Sequence, residues 1–411
     1  MKKKVELLAP AGNFEKLEMA FHYGADAVFL GGKEFSLRAG GHNFDREELV
    51  EASKYAHERG KKIWVALNII PHDDEMDDLP EYVQFLEKIA KVDGVIVADL
   101  GILEIVKENS NLNISASTQA SNTNWRSVKM WQEMGASRVV LAREVSLENI
   151  KKIRAHVPDI EIEVFIHGAL CMSVSGRCLL SNYMIGRDAN RGDCAQSCRW
   201  KYNVMEEDNC GNKKPVYSED EATHIFNSKD LCTIEFIDQI LDAGVDSLKI
   251  EGRMKGIYYV ATAVKVYREA VDRYYEGNFK YDEKWLKELE TMSHRKYTSG
   301  FYFNKPNSNA QNYNNRNSYS QSHQLVAKVA EKLSENEYIL EVRNKIFTGE
   351  ELEVVSNDGK PKIIRLPEME ITKKRVTSMV TDANPNSNVK IKLDTDINRL
   401  DMIRRVLPEV E

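Results

Sequence analysis

Between Gly168 and Lys201 the sequence gathers four of its six cysteines, Cys171, Cys178, Cys194 and Cys198. Six residues separate the first two, fifteen the next pair and three the last, while Cys232 follows in the run SKDLC. Their flanks are rich in Gly, Ser, Arg, Asn and Asp, so these thiols do not read as small buried hydrophobes. Soft donors gathered in this way suit a metal. A structural zinc site usually pairs its cysteines at short spacing, which only Cys194 and Cys198 satisfy. An iron–sulfur cluster accepts thiolates from loosely spaced positions and suits the wider pattern better. Spacing alone leaves both metals open. Cys210, in DNCGN, is not expected to be a ligand.

The thiols come directly after an apolar strand, Ile162 to Ile166, so the element that positions the strand positions them. That strand is the seventh in a series. Val5 to Ala9, Ala27 to Leu30, Ile63 to Leu67, Val95 to Ala98, Ile114 to Ser117 and Arg138 to Ala142 precede it, and Asp246 to Glu251 follows. Amphipathic helices alternate with them, the first capped by Asn13 with Phe14, Leu17, Ala20 and Phe21 at helical spacing. Strands alternating with helices in this number predict an α/β fold, a (β/α)8 barrel of the TIM type over residues 1–303. A cysteine-rich insertion, 168–233, falls between strands seven and eight and includes a hairpin near 201–217. An Asn/Ser-rich linker over 304–324 then leads to short alternating β runs, a small all-β domain over 325–411, read as a barrel or sandwich. Its 15 Lys and Arg against 16 Asp and Glu carry no electrostatic signature.

In such barrels the loops at the C-terminal strand ends form the active site. The polar residues in those places are Arg38, Asn68, Asp99, Gln119, Arg143, Glu144, His167, Lys249, Glu251 and Arg253. Lys249, Glu251 and Arg253 alternate on one face of the last strand and its exit. They are hard to bury unless they pair with one another or with an anionic ligand. His167 is expected to line the site. The acidic run His72 to Asp78 reads as a solvated loop rather than a divalent-cation site.

Composition narrows the class. With 42% hydrophobic and 29% charged residues the chain is an ordinary globular protein. No apolar run is long enough for a membrane span or signal peptide, so a cytoplasmic protein is expected. In a reducing compartment, clustered cysteines are ligands or redox groups rather than disulfides. A net charge of -7 provides no general attraction for nucleic acid, so any such contact needs a local patch.

Four blocks carry a resemblance: ELLAPAGNFEKLEMAFHYGADAVFLGG, EVFIHGALCMSVSGRCLLSNYMIGRDANRGDCAQSCRW, NSKDLC and SLKIEGRMKGIYYVATAVKVYREAVD. Together they resemble the collagenase-like peptidase family, the thirty-second of the peptidase families with unassigned mechanism. The small β domain resembles that of the family's bacterial tRNA-hydroxylation branch, so the likeness covers nearly the whole chain. It implies oxygen-independent formation of 5-hydroxyuridine at the wobble position of tRNA, with prephenate as cosubstrate. It also implies a 4Fe-4S cluster on Cys171, Cys178, Cys194 and Cys232, with Cys198 close enough to replace Cys194. On that reading Arg143, Lys249 and Arg253 hold the anionic cosubstrate, with His167 and Glu251 beside them. The tRNA anticodon loop then meets a patch made by Arg187, Arg191, Arg199, Lys201 and Trp200, with Tyr202 nearby. Because some relatives act as a pair, a partner protein of the same family is a further expectation. The family's older name raises proteolysis as the rival. HExxH and GxSxG are missing from the sequence, but His167 lies four residues from Cys171, so a thiol–imidazole pair is an open alternative.

Overall fold

The repeat of strand, turn and helix folds as its periodicity predicts. The computed structural model describes residues 4–36, 43–200, 202, 205–207, 211, 213–215, 227–303, 305, 319–373 and 376–408. Arg38, Lys201 and Cys210, and residues 304 and 306–318 of the expected linker, lie outside the described residues. In chain order the first body contains β1 (Glu6–Pro10), α1 (Phe14–His22), β2 (Ala27–Gly31), α2 (Arg46–His57) and β3 (Lys62–Leu67). Then come α3 (Asp73–Met76), α4 (Leu79–Phe85), β4 (Gly94–Val97), α5 (Leu100–Asn109), β5 (Asn113–Ala116) and α6 (Trp125–Glu133). β6 (Arg138–Val140), α7 (Leu147–His156) and β7 (Glu161–Ala169) lead into the cysteine loop, which carries α8 (Leu180–Ile185). A hairpin of β8 (Met205–Glu207) and β9 (Lys213–Pro215) follows, then β10 (Asp230–Cys232), α9 (Ile237–Asp242) and β11 (Ser247–Ile250). The body ends with α10 (Ile257–Tyr275), α11 (Glu283–Leu289) and β12 (Tyr297–Thr298).

β1 to β7 pair in parallel in sequence order, and β11 closes the sheet by pairing with both β7 and β1. This is the expected eight-stranded barrel. Side chains alternate across its wall: Leu8, Ala27, Phe29, Trp64 and Ile96 pack together as one cluster, while Leu7, Val28, Val65 and Val97 join the larger core with the helices. Helix starts follow from capping. The Asn13 Oδ1 accepts from the Lys16 amide at 3.0 Å, and Asp45 with Glu48 completes a capping box on α2.

The insertion differs from expectation at both ends. β7 does not break at Gly168 but runs to Ala169, because β10 folds back antiparallel on it and satisfies its backbone. β12 then pairs with β10. Gly168 is required inside this extension: its φ is +109°, and a Cβ there would lie 2.5 Å from the Glu251 carbonyl oxygen.

The second body is an eight-stranded antiparallel sheet in which His323–Lys332 lies between Met402–Val406 and Glu337–Val342. Its outermost strands, Lys362–Arg365 and Val376–Val380, are not paired with each other among the described residues. It docks on α1, α10 and α11. The Tyr23 hydroxyl donates to the Val355 carbonyl at 2.7 Å, and buried Arg404 reaches Glu288 at 2.7 Å and the Tyr258 hydroxyl at 2.9 Å. Lys328 and Arg343 both meet Glu15. No described helix is long and apolar enough to cross a membrane.

Candidate metal centre at the barrel mouth

The barrel lumen is charged, and its charges answer one another. Arg138, 2% exposed, donates to Glu6 at 2.6 Å, Glu161 at 2.7 Å and Glu163 at 3.1 Å. One step nearer the mouth, the Lys249 ammonium donates to Glu163 at 2.7 Å and lies 4.4 Å from the centre of the Phe29 ring. Glu163 therefore sits between two cations. Burial alone would raise its carboxyl, but Lys249 and Arg138 outweigh burial and hold it below the usual range. Lys249 was expected to meet an anionic ligand; it is instead neutralised by Glu163, a residue the sequence reading did not single out.

Above this ladder Arg143 stacks on Phe165, 3.9 Å from the ring centre, with Glu251 at 3.8 Å. Arg253, 5% exposed, donates to the Ser36 hydroxyl at 2.9 Å. A Cβ on Gly31 would lie 2.1 Å from the Ser36 hydroxyl and 2.2 Å from this guanidinium, so a larger residue at the end of β2 would displace that pair. Asn68 donates to Gln119 at 3.0 Å, whereas Asp99 caps α5 and is structural. Arg143 and Glu251 thus meet at the C-terminal end of the barrel, one layer above Lys249, and Arg253 follows on the exit of the same strand.

His167 is placed otherwise. β7 and β11 slip in register between Lys249, opposite Phe165, and Ile250, opposite His167. The extra residue is a bulge that turns His167 from the lumen to the outer face. There its ring packs against Tyr259, Tyr267 and Tyr297, and the Nδ1 lies 3.4 Å from the Tyr267 hydroxyl. Burial, with His294 and Lys255 adding to it, drops its pKa to about 3. His167 does not line the mouth, and the thiol–imidazole pair with Cys171 is not made.

The cysteine loop is tied over the mouth. The Ser175 amide donates to Glu144 at 3.0 Å, and Arg191 reaches across to Glu75 on α3 with two hydrogen bonds, 2.7 and 2.5 Å, and to the Ile70 carbonyl at 3.0 Å. The acidic run is therefore an anchor for this loop, with the Glu75 carboxyl lowered to about 2, chiefly by its bonds from Arg191. Inside the loop the Cys178 sulfur accepts from the Leu180 amide at 3.3 Å and the Cys194 sulfur from the Gln196 amide at 3.4 Å. Burial pushes the Cys198 thiol up; Arg199 opposes this, and the neighbouring thiols Cys171, Cys194 and Cys178 add to it.

Cys198 lies in the neighbourhood of the other three thiols. Cys232 lies opposite His167 on β10, and its sulfur is 3.7 Å from the Tyr267 hydroxyl on α10. Burial first raises that thiol to about 12. A cavity of about 910 Å³ bordered by Cys232, His294 and Tyr297 opens beside α11, outside the barrel, and is not the mouth.

Residues 12–312 match the model of Peptidase family U32, and 321–404 match the Peptidase family U32 C-terminal domain. The chain belongs to peptidase family U32. Among its U32 relatives, tRNA hydroxylation protein P1 of Bacillus subtilis (strain 168) is 42% identical over 415 residues, 98% of this chain and 95% of that protein. tRNA hydroxylation protein P of Escherichia coli (strain K12) is 38% identical over 87% of each chain. The Collagenase of Porphyromonas gingivalis (strain ATCC BAA-308 / W83) is 33% identical over 72% of this chain and 73% of its own length.

The basic patch expected on this U32 loop is largely committed within the chain. Arg191 is held by Glu75, Arg187 bonds Asp193 at 2.7 Å, and Arg199 donates to the Leu170 carbonyl at 2.8 Å. Trp200 is 39% exposed. What the reading missed is apolar: Leu179, Tyr183, Met184 and Ile185 are exposed beside the thiols. Their signal was a run of large apolar residues between two cysteines with no helix face to bury them.

Proposed function

We propose that this U32 protein takes part in tRNA hydroxylation, converting the wobble uridine to 5-hydroxyuridine, with a 4Fe-4S cluster on the cysteine loop and prephenate as cosubstrate, in the cytoplasm. The observation that carries the reading is the loop itself: thiols with backbone donors on two of their sulfurs, held across the barrel mouth by Glu144 and Glu75. The donor set supports a cluster, because four soft sulfur donors lie on one loop and their ligation requires the thiolate form. Cys171, Cys178, Cys194 and Cys198 would hold it, and when bound it would supply electron transfer or a Lewis-acid iron. The chain's own groups do the rest. Arg143 and Arg253 orient an anionic cosubstrate by charge-assisted hydrogen bonds, Glu251 positions Arg143, and Lys249 with Glu163 forms the neutral floor beneath them. The names of the relatives that align over 87% or more of this chain support RNA over peptide as the substrate, and the outward turn of His167 takes that base away from a cysteine nucleophile on the loop.

The test is mass spectrometry of tRNA nucleosides from a deletion strain. Loss of 5-hydroxyuridine, restored by the wild-type gene but not by Cys171→Ala, is expected. Undiminished 5-hydroxyuridine in the deletion strain would overturn the proposal, and turnover of unstructured collagen fragments by the purified protein would favour the peptidase. Arg253→Ala should retain iron and fold while lowering affinity for prephenate about ten- to a hundredfold.

A further inference from the structure

The cysteine loop exposes apolar side chains on a short helix that is fixed at both ends. The Leu180 amide at the start of α8 is bonded to the Cys178 sulfur, and the buried Ser181 hydroxyl accepts from the amide of Ala195, next to Cys194, at 3.0 Å. Gly186 ends the helix with φ +71°, its amide on the Asn182 carbonyl at 2.8 Å. A helix held this way cannot turn its apolar side inward. Tyr183 is 84% exposed, with Leu179 at 56%, Ile185 at 44% and Met184 at 43%.

The surrounding charge says what would cover them. From Met172 to Trp200 the chain carries four arginines and two aspartates, in a protein whose net charge is -7. Asp193 is taken up by Arg187, and Asp188 caps the turn at Asn190. Arg177 is exposed and has no ion-pair partner among the described residues. Exposed aromatic and apolar groups beside a cation without an ion-pair partner among the described residues complement unpaired bases on a phosphate backbone.

We propose that α8, with Leu179 and Arg177, is a stacking platform for the unpaired bases of an RNA loop, holding that loop open beside the thiols; this rests on the tRNA reading above. Tyr183 receives a base face, Leu179, four residues back on the same side, supports its neighbour, and Arg177 contacts phosphate.

The experiment compares anaerobic binding of the iron-loaded protein to an anticodon stem-loop and to a fully paired RNA of equal length, by fluorescence anisotropy. The wild type should prefer the looped RNA. Tyr183→Ala should lose roughly tenfold in affinity for the loop and little for the duplex, Tyr183→Phe should restore it, and Arg177→Glu should weaken both with a shallower salt dependence. Iron content and melting should be unchanged in all three. Equal loop binding by Tyr183→Ala would overturn the platform while leaving tRNA hydroxylation standing. Absence of wild-type binding to any RNA, with normal 5-hydroxyuridine in a deletion strain, would instead remove the reading beneath it. If Ile185→Asp converts a dimer to a monomer by light scattering, the face is a contact between copies and the platform is wrong.

Discussion

The barrel lumen and the loop above its mouth both concentrate groups that could do chemistry, yet the fold treats them in opposite ways. In the lumen Arg138, Glu163 and Lys249 are buried and satisfied by each other. On the loop two of the sulfurs receive backbone donors, and Tyr183 is left at the surface. A charged residue at the end of a barrel strand is therefore not by position alone a ligand contact. What separates scaffold from site is whether the chain has already supplied the complement.

The comparison breaks most readily at Glu163. Replacing it with Ala leaves Lys249 uncompensated and removes one of the carboxylates on Arg138, and losing one partner of a buried ion pair costs about 3–5 kcal/mol. Urea unfolding of Glu163→Ala should show that loss. Glu163→Met combined with Lys249→Met should recover much of it, since an apolar pair of similar volume removes both charges. A Glu163→Ala protein as stable as wild type, but inactive, would move Glu163 from scaffold to site.

The loop should respond in the opposite sense. Cys198→Ala should abolish most of the anaerobic iron and sulfide content while costing less than about 1 kcal/mol in the iron-free protein, because the side chain is only partly buried. Cys232→Ala should keep its iron yet lose about 1–2 kcal/mol through its packing against Tyr267. Loss of iron from Cys232→Ala with retention in Cys198→Ala would reverse the ligand assignment. It would also require the loop to rearrange when the cluster forms.

The barrel was legible because each strand is a short apolar run and each helix has its own stripe and cap, all local signals. The thiols were legible as a group for the same reason. Their fourth member was not, since whether Cys198 or Cys232 joins them depends on β10, a three-residue strand whose partner is a β7 extension. His167 was misplaced by a single extra residue in β7, which reverses every side chain beyond it and leaves no mark in composition. Glu163 was hidden differently: it alternates as a strand residue should, but the partners that neutralise it come from two other strands. Likewise Arg191 looked like an RNA contact because its carboxylate lies 116 residues away.

That last pair is the smallest and sharpest test, because it divides the loop's own arginines. Arg191 is a strut with Glu75, and Arg177 is a cation without a partner among the described residues, so equal substitutions should have unequal effects. Arg191→Ala should lower stability by about 1 kcal/mol, the scale of a partly exposed but bidentate pair. Arg177→Ala should change stability by less than about 0.5 kcal/mol. The pH dependence follows from the depressed carboxyl. Glu75 falls from an ordinary 4.5 to about 2 in the folded chain, so its contribution is present above 4.5 and is lost as pH falls from there toward 2. Arg191→Ala should therefore differ from wild type at neutral pH and converge on it in acid, read as chemical-denaturation midpoints at pH 7, 5 and 3 (roughly spanning the window). A gap that persists undiminished at the acid end would show that Arg191 acts mainly through the Ile70 carbonyl, which does not titrate. The loop would then be pinned to the barrel by backbone rather than by charge.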